Sequence, residues 1–448
     1  MAEGRTGRAE ESKEAYVRNR GLTTLGTWLL LAGSGAADDK LALLIPGVFG
    51  PSGLFVDSEA RLPSGDTHSA HFNSAFQSEF HQFNVALASQ ITSLPAPSPA
   101  SGFAYTFDSS LGLFTRSTDS FGPLFSERAL TAGDDKLTLG FAFQHFTFDT
   151  IDDVDLGGIP AVFTHDNPAP GGRDDVVATQ NAIEASVSQF TLFLNYGLTD
   201  RLDVAVAAPF LSAELAVTAH AKVNRIGTAG NPLVHFFRDE AGGVGDERVY
   251  HTSSTASGVG DISLRLKGRV AEVGSSAFAL GAELRFPTGD EEDLLGSGAW
   301  GAKPFVVFSS SHRRVSVHLN LGYQWNGESV LAGDVAEGEK AEFPDQLFYS
   351  GSVTFAVSPK LTLVADLLGR RFLDAPRLVK DDFLALDGVT TMPDVHFGNE
   401  SFNQTTGSFG LRFNTVGGLL VNLNVLVALD TEGLRDEVTP LVGVEYGF

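Results

Sequence analysis

The sequence predicts an all-β chain, a transmembrane antiparallel up-and-down β-barrel of about 12 strands, with 14 as the alternative, behind an N-terminal helical plug or cap. Three observations predict it. Long runs alternate apolar and polar residues, the links between those runs alternate long and short, and the chain closes on Val442, Val444, Tyr446 and Phe448.

The alternation comes first, because successive side chains of a strand point to opposite faces. Residues 314–326 put Val315, Val317, Leu319, Leu321, Tyr323 and Trp325 on one face, and Ser316, His318, Asn320, Gly322 and Gln324 on the other. Leu264 and Leu266 oppose Arg265 and Lys267 in the same way. Phe278, Leu280 and Leu284 oppose Gly281, Glu283 and Arg285, and Leu419, Val421, Leu423 and Val425 oppose Asn422 and Asn424. In a membrane barrel one face meets lipid and the other a polar lumen. A soluble sandwich alternates too, but its strands average about 5–6 residues, whereas these run to about 10–14, enough to cross a bilayer at a tilt. The predicted lumen-lining residues are Asp203, Arg265, Lys267, Glu283, Arg285, His318, Asn320, Gln324, Asp366, Arg370, Arg412, Asn422, Asn424 and Glu445. Their mixed charge argues against a strongly ion-selective pore.

The predicted strands lie near 137–149, 186–197, 201–222, 257–270, 276–288, 301–310, 314–326, 346–358, 361–372, 402–414, 418–430 and 437–448. Links 197–200, 311–313 and 359–360 are short; links 150–185, 223–256, 327–345 and 373–401 are long. Short periplasmic turns and long outer loops give that rhythm. The long loops are acidic and hold much of the formal net charge of -24, which argues against a nucleic-acid partner. With no cysteine, a disulfide framework, a thiolate zinc site and a cysteine nucleophile are excluded.

Residues 136–448 are the predicted barrel, and what precedes it reads in two parts. Residues 1–37 have the order of a secretory signal peptide: Arg18 and Arg20, an apolar run from Leu22 to Ala32, then small residues. Residues 38–135 are expected to form a plug or periplasmic cap with an amphipathic helix near 69–92. Its stripe is Phe72, Phe76, Phe80, Phe83 and Leu87, and Pro95 and Pro97 end it. A helix simply packed on the barrel mouth fits that pattern equally well. Beyond it, Phe103 to Phe107 and Leu111 to Thr115 fit a hairpin around Ser109 and Ser110.

No catalytic, metal or cofactor site is expected. His68, His71 and His81 lack a ligand cluster of matching spacing. Gly258-Val259-Gly260-Asp261 leads into a strand, not the helix a dinucleotide loop needs. The acidic run 289–293 reads as solvated loop.

Tyr446 and the final Phe448 resemble the terminal signal by which bacterial outer-membrane barrels are recognised for assembly. A family resemblance rests on four further pieces. They are 196–210 (Tyr-Gly-Leu-Thr-Asp-Arg-Leu-Asp-Val-Ala-Val-Ala-Ala-Pro-Phe), Gly258-Val-Gly-Asp-Ile262, Phe286-Pro-Thr-Gly-Asp290 and Leu295-Gly-Ser-Gly298. In order and spacing, over roughly residues 180–310, they resemble the outer-membrane barrels grouped as the MetA-pathway of phenol degradation family. The resemblance implies an outer-membrane transporter, with small hydrophobic or aromatic compounds passing passively through a plugged barrel. The alternative is a structural or surface-interaction barrel without transport. The expected location is the cell outer membrane of a Gram-negative bacterium. The expected partners are outer-membrane lipid and lipopolysaccharide, the barrel-assembly machinery and small hydrophobic solutes, with no nucleic acid and no cofactor.

Overall fold

Twelve strands close into one antiparallel barrel in which each pairs with the next along the chain. The computed structural model describes residues 40–50, 53–59, 70–73, 80–98, 102, 104–108, 113–116, 120–165, 175–228, 231, 233–239 and 241–448. The expected signal peptide lies outside them. The barrel strands are β1 (Leu137–Phe148), β2 (Val176–Thr199), β3 (Leu202–Asn224), β4 (Ile262–Val273), β5 (Ser276–Phe286) and β6 (Gly301–His312). They continue as β7 (Val315–Asn326), β8 (Gln346–Ser358), β9 (Leu361–Leu384), β10 (Thr391–Val416), β11 (Leu419–Ala428) and β12 (Val438–Gly447). The last strand closes on the first through Leu441↔Gln144 to Gly447↔Thr138. No edge is left in the membrane zone, which is the condition for strands to cross a bilayer.

Burial follows the predicted parity. In β1, Thr138, Ala142, Gln144, Phe146 and Phe148 are buried while Leu139, Phe141 and Phe143 are exposed. In β7, Ser316, His318, Asn320 and Gln324 are buried while Leu319, Leu321 and Trp325 are about half exposed. Phe190, Phe278, Leu280, Val306, Phe355, Leu363, Phe409, Leu423 and Val442 extend the same apolar belt around the outside. So large an exposed apolar surface needs a partner, and on a closed barrel with a polar interior that partner is lipid. Tyr446 and Phe448 end the last strand with exposed rings 4.6 Å apart.

The two ends differ. At one, tight turns join β2 to β3, β4 to β5, β6 to β7, β8 to β9 and β10 to β11. At the other, β2, β3, β9 and β10 run to 23–26 residues, well beyond the roughly 9–11 that span a bilayer. This long-loop end is the outer one for barrels of this kind. The expected long loop 373–401 is therefore mostly strand: β9 and β10 stay paired to Leu384↔Thr391, past a bulge between Phe372 and Ala375. Two further strands widen the outer wall. Glu247–Val259 pairs with the far half of β3, and Ile159–His165 with the far end of β2.

A hydrophobic core fills that outer wall. Leu211, Leu215 and Val217 of β3 face inward with Ile183 and Val187 of β2, and the N-terminal chain packs on them. It enters as α1 (Leu41–Leu44) and continues through Phe55–Val56 and Ala70–Asn73, strands that pair with each other, the second of them also with Ile159–His165. It then forms α2 (Phe80–Ile91). The helix predicted near 69–92 is thus shorter. Phe72 lies on a strand instead, 0% exposed, its ring 5.4 Å from that of His235. The physical reason is the open edge of Ile159–His165, whose unpaired backbone groups residues 72 and 73 satisfy. Phe76 lies outside the described residues, and Phe80 opens α2. Phe83 and Leu87 are buried in the outer core, Phe83 edge-on to Phe397 of β10 at 6.2 Å. α2 therefore packs at the outer mouth, against Glu328–Asp334, β9 and Leu434–Arg435. The hairpin expected around Ser109 and Ser110 pairs Tyr105–Asp108 with Leu113–Arg116.

Candidate functional site

The lumen is not an open pore, because the chain's own N-terminal region passes through it. Below α2, residues 92–98 descend along the inner wall. Ser93 and Gln346 exchange hydrogen bonds at 2.9–3.2 Å, and Gln144 Nε2 donates to the Pro95 carbonyl. The Ser98 amide donates to the Leu124 carbonyl at 2.8 Å, joining this strand of chain to a second one. That second segment, residues 120–132, arches across the short-turn half of the interior. Phe121, Leu124, Ser126, Arg128 and Ala129 are almost wholly buried there.

Inner-face side chains anchor it one after another. The Phe121 amide donates to Thr362 Oγ1 (3.1 Å) and Ser126 Oγ to Ser350 Oγ (3.0 Å). Asn320 donates to the Glu127 carbonyl (3.0 Å) and accepts from its amide (2.6 Å). The Ala129 amide donates to Ser309 Oγ, and the Ala132 amide to the Asp203 carboxylate. The Arg412 guanidinium, 0% exposed, donates to the carbonyls of Phe121 (3.0 Å) and Pro123 (2.6 Å) and pairs with Glu445. The Glu127 carboxylate, from the threaded segment, bridges Arg265 and Lys267; Lys267 also reaches Asp203 at 3.7 Å. Burying these charges is tolerated because each finds an opposite partner.

Between residues 90–97 and 125–127 a cavity of about 270 Å³ remains. Phe146 and Phe148 from β1, Phe305 from β6, Phe348 from β8 and Phe125 from the threaded segment line it. Gly281 makes room for Phe305, since a Cβ there would run into the ring. The polar lining includes Arg265, Glu283, Arg285, Lys303, Arg370 and Arg435. Glu283 accepts from Arg265 and pairs with Lys303 at 2.7 Å. Arg285 donates to Asn326 (2.7 Å) and lies 3.6 Å from Asp261.

All fourteen residues predicted for the lumen face lie buried or half-buried on the inner side of their strands. Six of them line the cavity: Arg265, Glu283, Arg285, Asn320, Gln324 and Arg370. The remaining eight do not line it. Asp203, Lys267 and Arg412 engage the threaded segment, and His318 bonds to Ser309 (2.7 Å). Asp366, Asn422, Asn424 and Glu445 join inner-face networks through Ser408 and Arg412. Glu127, Lys303, Phe305, Phe348 and Arg435 belong to the site without having been singled out in the sequence. For Lys303 and Phe305 the signal is masked by Pro304 and by apolar residues on both faces of β6, in which Val306 points out and Val307 in.

The outer loops are drawn over this interior. Ser297 donates twice to Asp261, which closes the loop between β5 and β6 inward and buries Leu294 and Leu295. Lys40 grips the same loop through Asp290 (3.0 Å) and Asp293 (2.8 Å), and those hydrogen bonds raise its pKa. The acidic run 289–293 thus meets a lysine instead of only water. At the far end of β2, burial pushes the Asp175 carboxyl up, but hydrogen bonds from His235 and Thr228 outweigh it and hold the group below the usual carboxylate range. Among the described residues no group of three or more His, Cys, Asp or Glu side chains is placed to hold a metal.

The model of the family described as "Putative MetA-pathway of phenol degradation" matches residues 165–368. No curated protein matches the chain. Among solved structures, an outer-membrane channel from Pseudomonas putida F1 is similar at 13% identity and a TM-score of 0.42, over 71% of this chain and 98% of that one. The NanC porin is similar at 8% identity and a TM-score of 0.36, over 68% and 98%. The Ralstonia pickettii toluene transporter TbuX is similar at 9% identity and a TM-score of 0.33, over 70% and 90%. Residues 165–368 span β2 to β9, including every motif on which the resemblance rests. Over that stretch the chain carries the pattern of the family, and as a whole it is a transmembrane β-barrel of the bacterial outer membrane.

Proposed function

We propose that this barrel is a passive channel for small hydrophobic or aromatic compounds, which cross through the lumenal cavity when the threaded N-terminal segments shift. The observation that carries this is the cavity itself. It lies inside the barrel, it is walled by five phenylalanines among polar groups, and part of its wall is chain that does not belong to the barrel. Small-molecule sites have this mix of apolar walls and a few placed polar groups. The match to a family described by phenol degradation fits the same class of solute. Outer-membrane lipid meets the apolar belt. The acidic outer loops fit lipopolysaccharide bridged by divalent cations, and Tyr446 and Phe448 are offered to the assembly machinery.

A second reading, a structural or surface-interaction barrel, is favoured by one observation: the packed ion pairs of Glu127 with Arg265 and Lys267, and of Arg412 with Glu445. Uptake separates the two. Liposomes carrying the purified barrel should take up toluene, phenol and benzyl alcohol faster than protein-free liposomes, and should exclude sugars. Equal rates for all of these solutes with and without a correctly folded barrel would remove the channel reading and leave the second.

A further inference from the structure

Among the described residues, the cations of the cavity wall pair off with one exception. Glu127 is held by Arg265 and Lys267, Glu283 by Arg265 and Lys303, and Asp261 by Arg285 and the Ser297 loop. Arg435 has Asp430. Arg370, half-buried on the cavity wall, has no carboxylate in ion-pair distance and no hydrogen-bond partner among the described residues. Its surroundings are cationic as well: Arg285 and Arg435 repel it, and the acid whose field it feels, Glu283, is already taken by Arg265 and Lys303. A guanidinium withdrawn from bulk water without a counter-charge is unfavourable, so its place calls for an anion.

The walls say what kind of anion. Arg370 sits directly across from Phe348 on the neighbouring strand, and Lys303 lies 5.7 Å from the centre of that same ring. Phe305 and Phe125 face the same space. An apolar cavity of about 150 Å³ is enough to hold benzene, so a cavity of about 270 Å³ has room for one ring with a small polar group. We infer that the cavity is a binding site for a small aromatic carboxylate, its ring between Phe348 and Phe305 and its carboxylate forked on Arg370. The planar guanidinium offers two parallel donors to a carboxylate, a geometry that neither a hydroxyl nor a halide can use in full. This inference rests on the channel reading above and narrows its solute class.

Calorimetry on the full-length barrel in detergent tests it, with benzoate, benzyl alcohol and inorganic phosphate as probes. Benzoate should bind about tenfold or more tightly than benzyl alcohol, the scale of one hydrogen bond to a charged group. Arg370→Met should bring the two within about twofold, while Arg370→Lys should keep part of the preference. Phosphate should not displace benzoate at equal concentration. Benzyl alcohol binding as tightly as benzoate, a preference untouched by Arg370→Met, or displacement by phosphate would each overturn the inference. Heat-modifiability on gels checks that each variant is folded; should Arg370→Met fail there, Phe348→Leu takes its place and should weaken both ring-bearing probes together. Neutral aromatics entering liposomes without any benzoate preference would sink this inference and leave the channel reading standing. Benzoate binding without uptake would do the reverse.

Discussion

Oxidising the double variant Ser126→Cys/Ser350→Cys should bring aromatic uptake down to the rate of protein-free liposomes, and a reductant should restore it. The two hydroxyl oxygens are 3.0 Å apart, one on the threaded segment and the other on the inner face of β8. That is close enough for a disulfide to form after a small rotation. The chain has no cysteine of its own, so the pair cannot mispair and each single variant is a clean control. The block is expected because residues 120–132 close the short-turn half of the lumen, with Phe121, Ser126 and Ala129 fully buried against the wall. Locking them in place leaves the cavity without a periplasmic exit. Undiminished uptake by a fully cross-linked barrel would mean that solute passes without moving this segment.

Arg412→Met should destabilise the folded barrel by about 3–5 kcal/mol, the cost of leaving one member of a buried ion pair uncompensated. The guanidinium is 0% exposed, pairs with Glu445, and also holds the Phe121 and Pro123 carbonyls. Its loss therefore strands a buried carboxylate and frees one end of the threaded segment. Adding Glu445→Gln should return a large part of that stability, because a neutral amide beside the new thioether no longer buries a charge. Urea titration of the barrel in lipid vesicles measures both. A double variant as unstable as the sum of the two singles would show that Arg412 acts through the segment alone.

Most of the barrel is legible in the sequence because lipid enforces it. A strand with hydrocarbon on one side and a polar lumen on the other alternates; β7 shows it along its whole length and β11 from Val421 to Val425. Beyond the membrane the constraint is lifted. At the far ends of β9 and β10, Lys380, Asp381 and Asp382 are all exposed, so a continuing strand reads as an acidic loop. Phe72 misleads for another reason. Its spacing from Phe76 and Phe80 fits a helix, yet what fixes its conformation is the strand edge at Ile159–His165, more than 85 residues away in sequence and invisible to local periodicity.

The lumen face is legible by parity, but the filling of the lumen is not. Residues 120–132 have no regular secondary structure and hence no period to read. One signal was available. The fourteen inner-face residues carry more Arg and Lys than Asp and Glu, and a closed interior needs that surplus answered. Glu127 answers it from outside the barrel strands.

The central claim, that solute crosses inside the barrel and not along its lipid face, is tested most directly at one pair of neighbours on β4. Ser263 lines the cavity, and Leu264 points outward, 36% exposed. Each is replaced singly by cysteine in this cysteine-free chain and exposed to a small thiol reagent in liposomes, with and without phenol. The account predicts that phenol slows modification of Ser263→Cys and leaves Leu264→Cys unchanged. Protection of Leu264→Cys alone, or of neither while uptake continues, would contradict it.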